Sequence, residues 1–192
     1  IANMVEIPYR SLSAISRPHI SQGMKDNDLI GVNNLVKSVS LHQFIAAFFI
    51  FFLIWINIDL IYNVIPNGNV YEEAKFVVFI LSLVKITNTS LNVAATVLSY
   101  SKYYYYSLFF TIILTVTAIV MNIKLIPIWG MEGAALASLI SYIVYYTLLL
   151  IFVEWKLKVT PLSFKELYTL LIIAALFVID WFVQKYISRQ LI

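Results

Sequence analysis

The chain has 192 residues, 61% of them hydrophobic and 12% charged, with a net charge of +3 and a mean hydropathy of +0.88. Soluble domains carry about 25% charged residues, so this composition excludes a water-soluble globular protein and predicts an all-α, multi-pass membrane helical bundle. The absence of cysteine excludes disulfide and thiolate chemistry, and a charge this small, lying in the connections between apolar segments, gives no footprint for nucleic acid.

Residues 1–21 (IANMVEIPYRSLSAISRPHIS) read as the end of a spanning helix, so the chain is expected to be part of a larger protein. Glu6 and Arg10, spaced i, i+4, can pair on one face. Residues 22–35 read as a polar connection in which Asp26, Asn27 and Asp28 supply turn and N-cap chemistry. Complete spans are predicted at 44–65, 76–100, 103–126, 131–153 and 164–186, separated by turns at Pro66–Asn69 and Pro127–Gly130 and by a basic connection, Glu154–Pro161.

If the spans alternate, one side of the membrane collects Arg10, Arg17, Lys25, Lys37, Lys102, Lys156, Lys158 and Lys165, and the other Lys75, Lys124, Lys185 and Arg189. The positive-inside rule then makes the first side cytoplasmic.

The span 76–100 carries a polar stripe. Ser82, Lys85, Thr89, Asn92, Thr96 and Ser99 follow at spacings of 3, 4, 3, 4 and 3, with Asn88 beside them, which gathers them on one side of a helix. A lysine near the bilayer centre costs roughly 2.5–3.5 kcal/mol even on insertion scales, so this face must meet a polar cavity or other helices. Two readings follow. Lys85 pairs with an acid of a neighbouring helix while Asn88 and Asn92 bond between helices; or these residues form a cationic, amide-lined cavity wall. One cation among neutral donors suits an anionic, hydroxyl-rich ligand. The substrate-binding candidates are Lys85, Asn88, Asn92, Thr89 and Arg10, the last divided between pairing with Glu6 and meeting a ligand phosphate. Arg17, nearer the helix end, is expected to be an interfacial anchor.

Other features have plainer readings. The tracks Gly130/Ala134/Ser138 and Gly133/Ala137/Ser141 permit close helix packing, and Tyr103–Tyr106 resemble an interfacial aromatic belt. Asp180 is a possible ion ligand or lysine partner. His19 and His42 are far apart, and no HExxH, phosphate-binding glycine loop or Ser-His-acid set is present, so neither catalysis, a metal nor a cofactor is expected.

Three stretches carry a family resemblance. Ser16-Arg17-Pro18-His19-Ile20-Ser21 followed by Asp26-Asn27-Asp28 resembles a "P-x-[IL]-S … ND" junction. Ile61-Tyr62 and Asn69-Val70-Tyr71-Glu72-Glu73-Ala74 look like a short external loop ending in "Y-x-x-A". Leu125-Ile126-Pro127-Ile128-Trp129-Gly130-Met131-Glu132-Gly133-Ala134-Ala135-Leu136-Ala137 is similar to "IP-x-[YW]-G-x-x-GAA-x-A". Together they resemble the bacterial flippases for O-antigen or capsule repeat units, within the multidrug/oligosaccharidyl-lipid/polysaccharide superfamily. The resemblance implies two six-helix lobes around a cavity, residues 1–192 being most of the C-terminal lobe plus an extra helix. It further implies alternating-access transport of an undecaprenyl-pyrophosphate-linked oligosaccharide across the bacterial inner membrane. The implied partners are that lipid-linked oligosaccharide, the N-terminal lobe and membrane lipids. It supplies no fixed set of substrate residues, so Lys85 rests on the stripe alone. Alternatives are a multidrug antiporter of the same superfamily, which should present acids and aromatics to its cavity, and a membrane enzyme of glycan assembly, which should carry a large extramembrane loop or a His/Arg/Asp cluster.

Overall fold

A computed structural model describes residues 2–64, 74–163 and 168–169 of the chain. Ile1–Pro161 forms one compact unit and Leu162–Ile192 a second. The helices that follow all belong to the first. The predicted turn at Pro66–Asn69, the loop to Glu73, the Asp59 side chain, and the span at 164–186 with Asp180 lie outside the described residues.

The described elements are helical, with no strand among them. A single 3-10 turn, Ala2–Glu6, leads into α1, Ile7–Lys25. Pro8 falls in the first turn of α1, where its missing N–H costs nothing. The chain reverses at Asp26-Asn27-Asp28: Asn27 takes φ 59°, and the Asp28 carboxylate accepts the Gly31 N–H at 2.9 Å. The residues expected to make the turn and the cap therefore make them.

The next helix, α2, spans Leu29–Ile56, starting fifteen residues before the predicted span. The signal for this early start is Val32, Val36, Val39 and Gln43, spaced 4, 3 and 4, all buried. At 1.5 Å per residue α2 is about 42 Å long, about 12 Å more than the thickness of a 30 Å hydrocarbon core, and its polar residues Asn33, Asn34 and Lys37 fall in its first three turns. Asn57 ends α2, donating its side-chain N–H to the Leu53 carbonyl at 2.9 Å, and a short helix α3, Ile58–Val64, continues.

Helix α4, Lys75–Ser99, matches the striped span to within one residue at either end. It packs against the 3-10 turn, α1, α2 and the helical run that follows it, and so forms the axis of the unit. Trp55 and Phe51 of α2 meet Phe79 of α4 at ring separations of 5.0 and 5.8 Å.

The run Tyr105–Leu157, α5, is helical apart from Gly130, at φ 55° and ψ −125°. It is a hairpin. Phe110 and Phe152 have ring centroids 5.4 Å apart, although a straight helix would separate them by about 63 Å. The expected turn is thus concentrated in one residue, with Pro127 still on the helix before it. Only glycine adopts the Gly130 conformation readily. Gly133 lies against the Leu125 backbone carbonyl, where no side-chain carbon fits. Of the two small-residue tracks, Gly133, Ala137 and Ser141 are buried, whereas Gly130 is exposed and Ala134 and Ser138 only half-buried. The first limb shows its apolar face outward, through Leu108, Ile112, Val116, Ile119 and Ile123 at spacings of 4, 4, 3 and 4.

By length and composition, α2, α4 and α5 can cross a membrane, and each limb of α5, about 38 Å, is long enough by itself. The described residues are predominantly helical, and their helices are compatible with a membrane protein. At the end of the hairpin away from Gly130, Tyr103 and Tyr106 pack on Phe152, and Tyr104, Tyr105 and Tyr106 are all exposed.

Candidate functional site

The polar stripe of α4 meets two different surroundings. Successive residues of a helix are rotated by about 100°, so Lys85, Asn88, Asn92 and Ser99 fall within about 60° of one another, and Ser82, Thr89 and Thr96 on the adjoining arc. The second arc borders the side that packs on neighbouring helices. Ser82 and Thr89 are accordingly fully buried, and their hydroxyl oxygens have no hydrogen-bond partner. Thr89 is therefore closed off from any cavity in this conformation, because the stripe is wider than the open part of the helix surface.

On the first arc, the Lys85 ammonium lies 3.1 Å from Oε1 of Glu6, at the end of the 3-10 turn; their side chains are 28% and 22% exposed. Asn88 donates its side-chain N–H to the same oxygen at 3.1 Å. Its own side-chain oxygen accepts the Tyr146 hydroxyl at 2.6 Å, from the second limb of α5. Four side chains from three parts of the chain form one connected network. Lys85 therefore has the acid partner that the packing reading expected, and Asn88 bonds between helices.

Arg10 does not join it. Glu6 faces α4, its carboxylate is engaged by Lys85 and Asn88, and Arg10 is exposed one turn further along α1. The i, i+4 spacing brings Glu6 and Arg10 near each other but does not oblige them to pair when a cation on another helix is closer.

Toward the C-terminal end of α4 the stripe opens into a cleft of about 310 Å³, lined by Arg17, Asn92, Thr96, Ser99, Tyr100 and Ser107. Thr96 and Ser99 donate to carbonyls of their own helix at 3.3 and 2.9 Å, leaving oxygen lone pairs for a ligand. Arg17, expected as an interfacial anchor, stands at this cleft and donates to the Tyr9 hydroxyl at 3.2 Å. The cleft can offer a cation, an amide and several hydroxyls to a polar ligand. It is at the small end of the size range of ligand pockets.

Two participants escaped the sequence reading. Tyr146 had a signal: it sits well inside a predicted span, away from the interfaces where tyrosine is favoured. The role of Arg17 had none, since the other walls of its cleft come from α4 and α5. No group of three metal-ligating side chains comes together among the described residues. No family model, curated protein or solved structure matches the chain.

Proposed function

We propose that the chain is part of a flippase that carries an undecaprenyl-pyrophosphate-linked oligosaccharide across the bacterial inner membrane by alternating access, as most of one six-helix lobe. The observation that carries this reading is the polar track on α4. It runs from Lys85 and Asn88 to the Arg17 cleft at Ser99, about 21 Å along a helix that is otherwise apolar. Such a track spans most of a hydrocarbon core, and intramembrane ionisable groups mark substrate or ion pathways. Cations at both ends, Lys85 and Arg17, suit phosphate groups, and the amides and hydroxyls between them suit sugars. The multidrug alternative calls for acids and aromatics at the cavity, whereas the described lining of the cleft offers Arg17, an amide and hydroxyls and no acid.

The test is export of surface polysaccharide in a strain lacking the transporter. Lys85→Ala is expected to impair export, and so is Glu6→Gln combined with Lys85→Gln, a pair that leaves no isolated charge. Normal export by the double variant, at normal protein level, would overturn the reading. Orientation has its own check. Because the chain has no cysteine, Lys102→Cys, at an exposed position, should resist an impermeant thiol reagent outside intact cells and react after lysis.

A further inference from the structure

We infer that Glu6 is an internal counter-ion that holds Lys85 until a ligand phosphate displaces it, moving then to Arg10. This rests on the reading of Lys85 as a substrate-binding residue and gives the carboxylate beside it a role.

Glu6 Oε1 takes two donors at once, Lys85 Nζ and Asn88 Nδ2, each at 3.1 Å. A phosphate oxygen would seek the same two donors at the same distances, so the carboxylate stands where a ligand oxygen would bind. The amide is oriented independently of Glu6. With its oxygen held by the Tyr146 hydroxyl at 2.6 Å, the Asn88 NH₂ group points toward the anion position whichever anion fills it. That is preorganisation for a ligand.

The carboxylate is also free to leave. Glu6 lies at the junction between the 3-10 turn and α1, and makes no side-chain cap hydrogen bond to the helix that follows. Both charged side chains are about one-quarter exposed, so exchange needs no opening of a sealed core. Lys85 on α4 is the ionisable partner of Glu6; Tyr146 on α5 is joined to it through Asn88 and lies among Tyr9, Tyr142 and Tyr145; Arg10 follows on α1, and α2 has no ionisable residue between Gln43 and Ile56. Arg10, exposed and at i+4, is within reach of a carboxylate released from Lys85. A ligand anion then enters, Glu6 swings to Arg10, and the charge at Lys85 stays balanced throughout.

The full-length protein in phosphatidylcholine nanodiscs, titrated with undecaprenyl pyrophosphate, tests this. Glu6→Gln removes the competitor and should tighten binding about tenfold, since apparent affinity falls with the fraction of protein in which the site is free. Lys85→Gln should weaken binding at least about tenfold, the loss of a charge-assisted contact. Arg10→Gln should weaken it a few-fold when Glu6 is present and leave it unchanged beside Glu6→Gln. If Glu6→Gln does not accumulate, Glu6→Asp, one methylene shorter, should tighten binding less but in the same direction. Unchanged or weaker binding by the Glu6 variants, with Lys85→Gln still weakened, would overturn the counter-ion and leave the function standing. Wild-type affinity in Lys85→Gln would overturn both.

Discussion

The two halves of the α4 stripe have the same spacing and similar side chains, yet opposite fates. From Lys85 to Asn88 every polar group meets another from within the protein, and the network is tied to α5 through Tyr146. From Asn92 to Ser99 the hydroxyls satisfy only their own helix, and the surface opens toward Arg17. Helical periodicity brings polar residues to one face but says nothing about what stands opposite. Here Glu6 stands opposite one half and a cleft opposite the other.

The largest effect should come from breaking the closed half. Lys85→Ala leaves a carboxylate without its cation in a half-buried site, and should cost about 1–3 kcal/mol. Adding Glu6→Ala should restore much of that loss, read as the melting temperature in detergent. If the double variant is no more stable than the single, the closed half is not held by this pair. Gly133→Leu tests the same half from a distance. A side chain against the Leu125 carbonyl forces the limbs apart and should cost about 1–3 kcal/mol, lowering the melting temperature without touching the stripe.

A smaller effect is expected from Tyr146→Phe. It deletes the hydroxyl that Asn88 accepts, and interhelical hydrogen bonds in membranes average about 0.6 kcal/mol. A much larger loss would mean that the network acts as one cooperative unit. The smallest stability effect belongs to the open half. Arg17→Ala should change the melting temperature by less than the equivalent of about 0.5 kcal/mol, because Arg17 is exposed and donates to a single side chain, the Tyr9 hydroxyl. Export should nonetheless fall. A stability loss like that of Lys85→Ala would erase the distinction between the halves.

Much of the candidate site could be read from the chain alone. Lys85, Asn88 and Asn92 stood out because polar residues at helical spacing in an apolar segment need a partner. Thr89 belongs to the same pattern but falls on the buried arc, a difference set by how closely the neighbouring helices approach. Arg10 and Arg17 exchanged importance for a similar reason. Their local spacings favoured Arg10 beside Glu6, whereas the walls that meet Arg17 are supplied by residues 92–107.

For the fold, hydrophobicity and turn chemistry sufficed for the helices and several of their ends. Asp28 caps α2, Gly130 turns the hairpin, and α4 begins and ends within a residue of its predicted limits. These features depend on side chains and backbone within one or two turns of each other, so short stretches of sequence carry them. Which small-residue track is buried, which acid neutralises Lys85 and where the stripe stays open depend on groups far apart in the chain, Glu6 and Asn88 being 82 residues apart. Those were settled only when α4 was surrounded, because charge pairing and close packing are properties of facing surfaces rather than of any one helix.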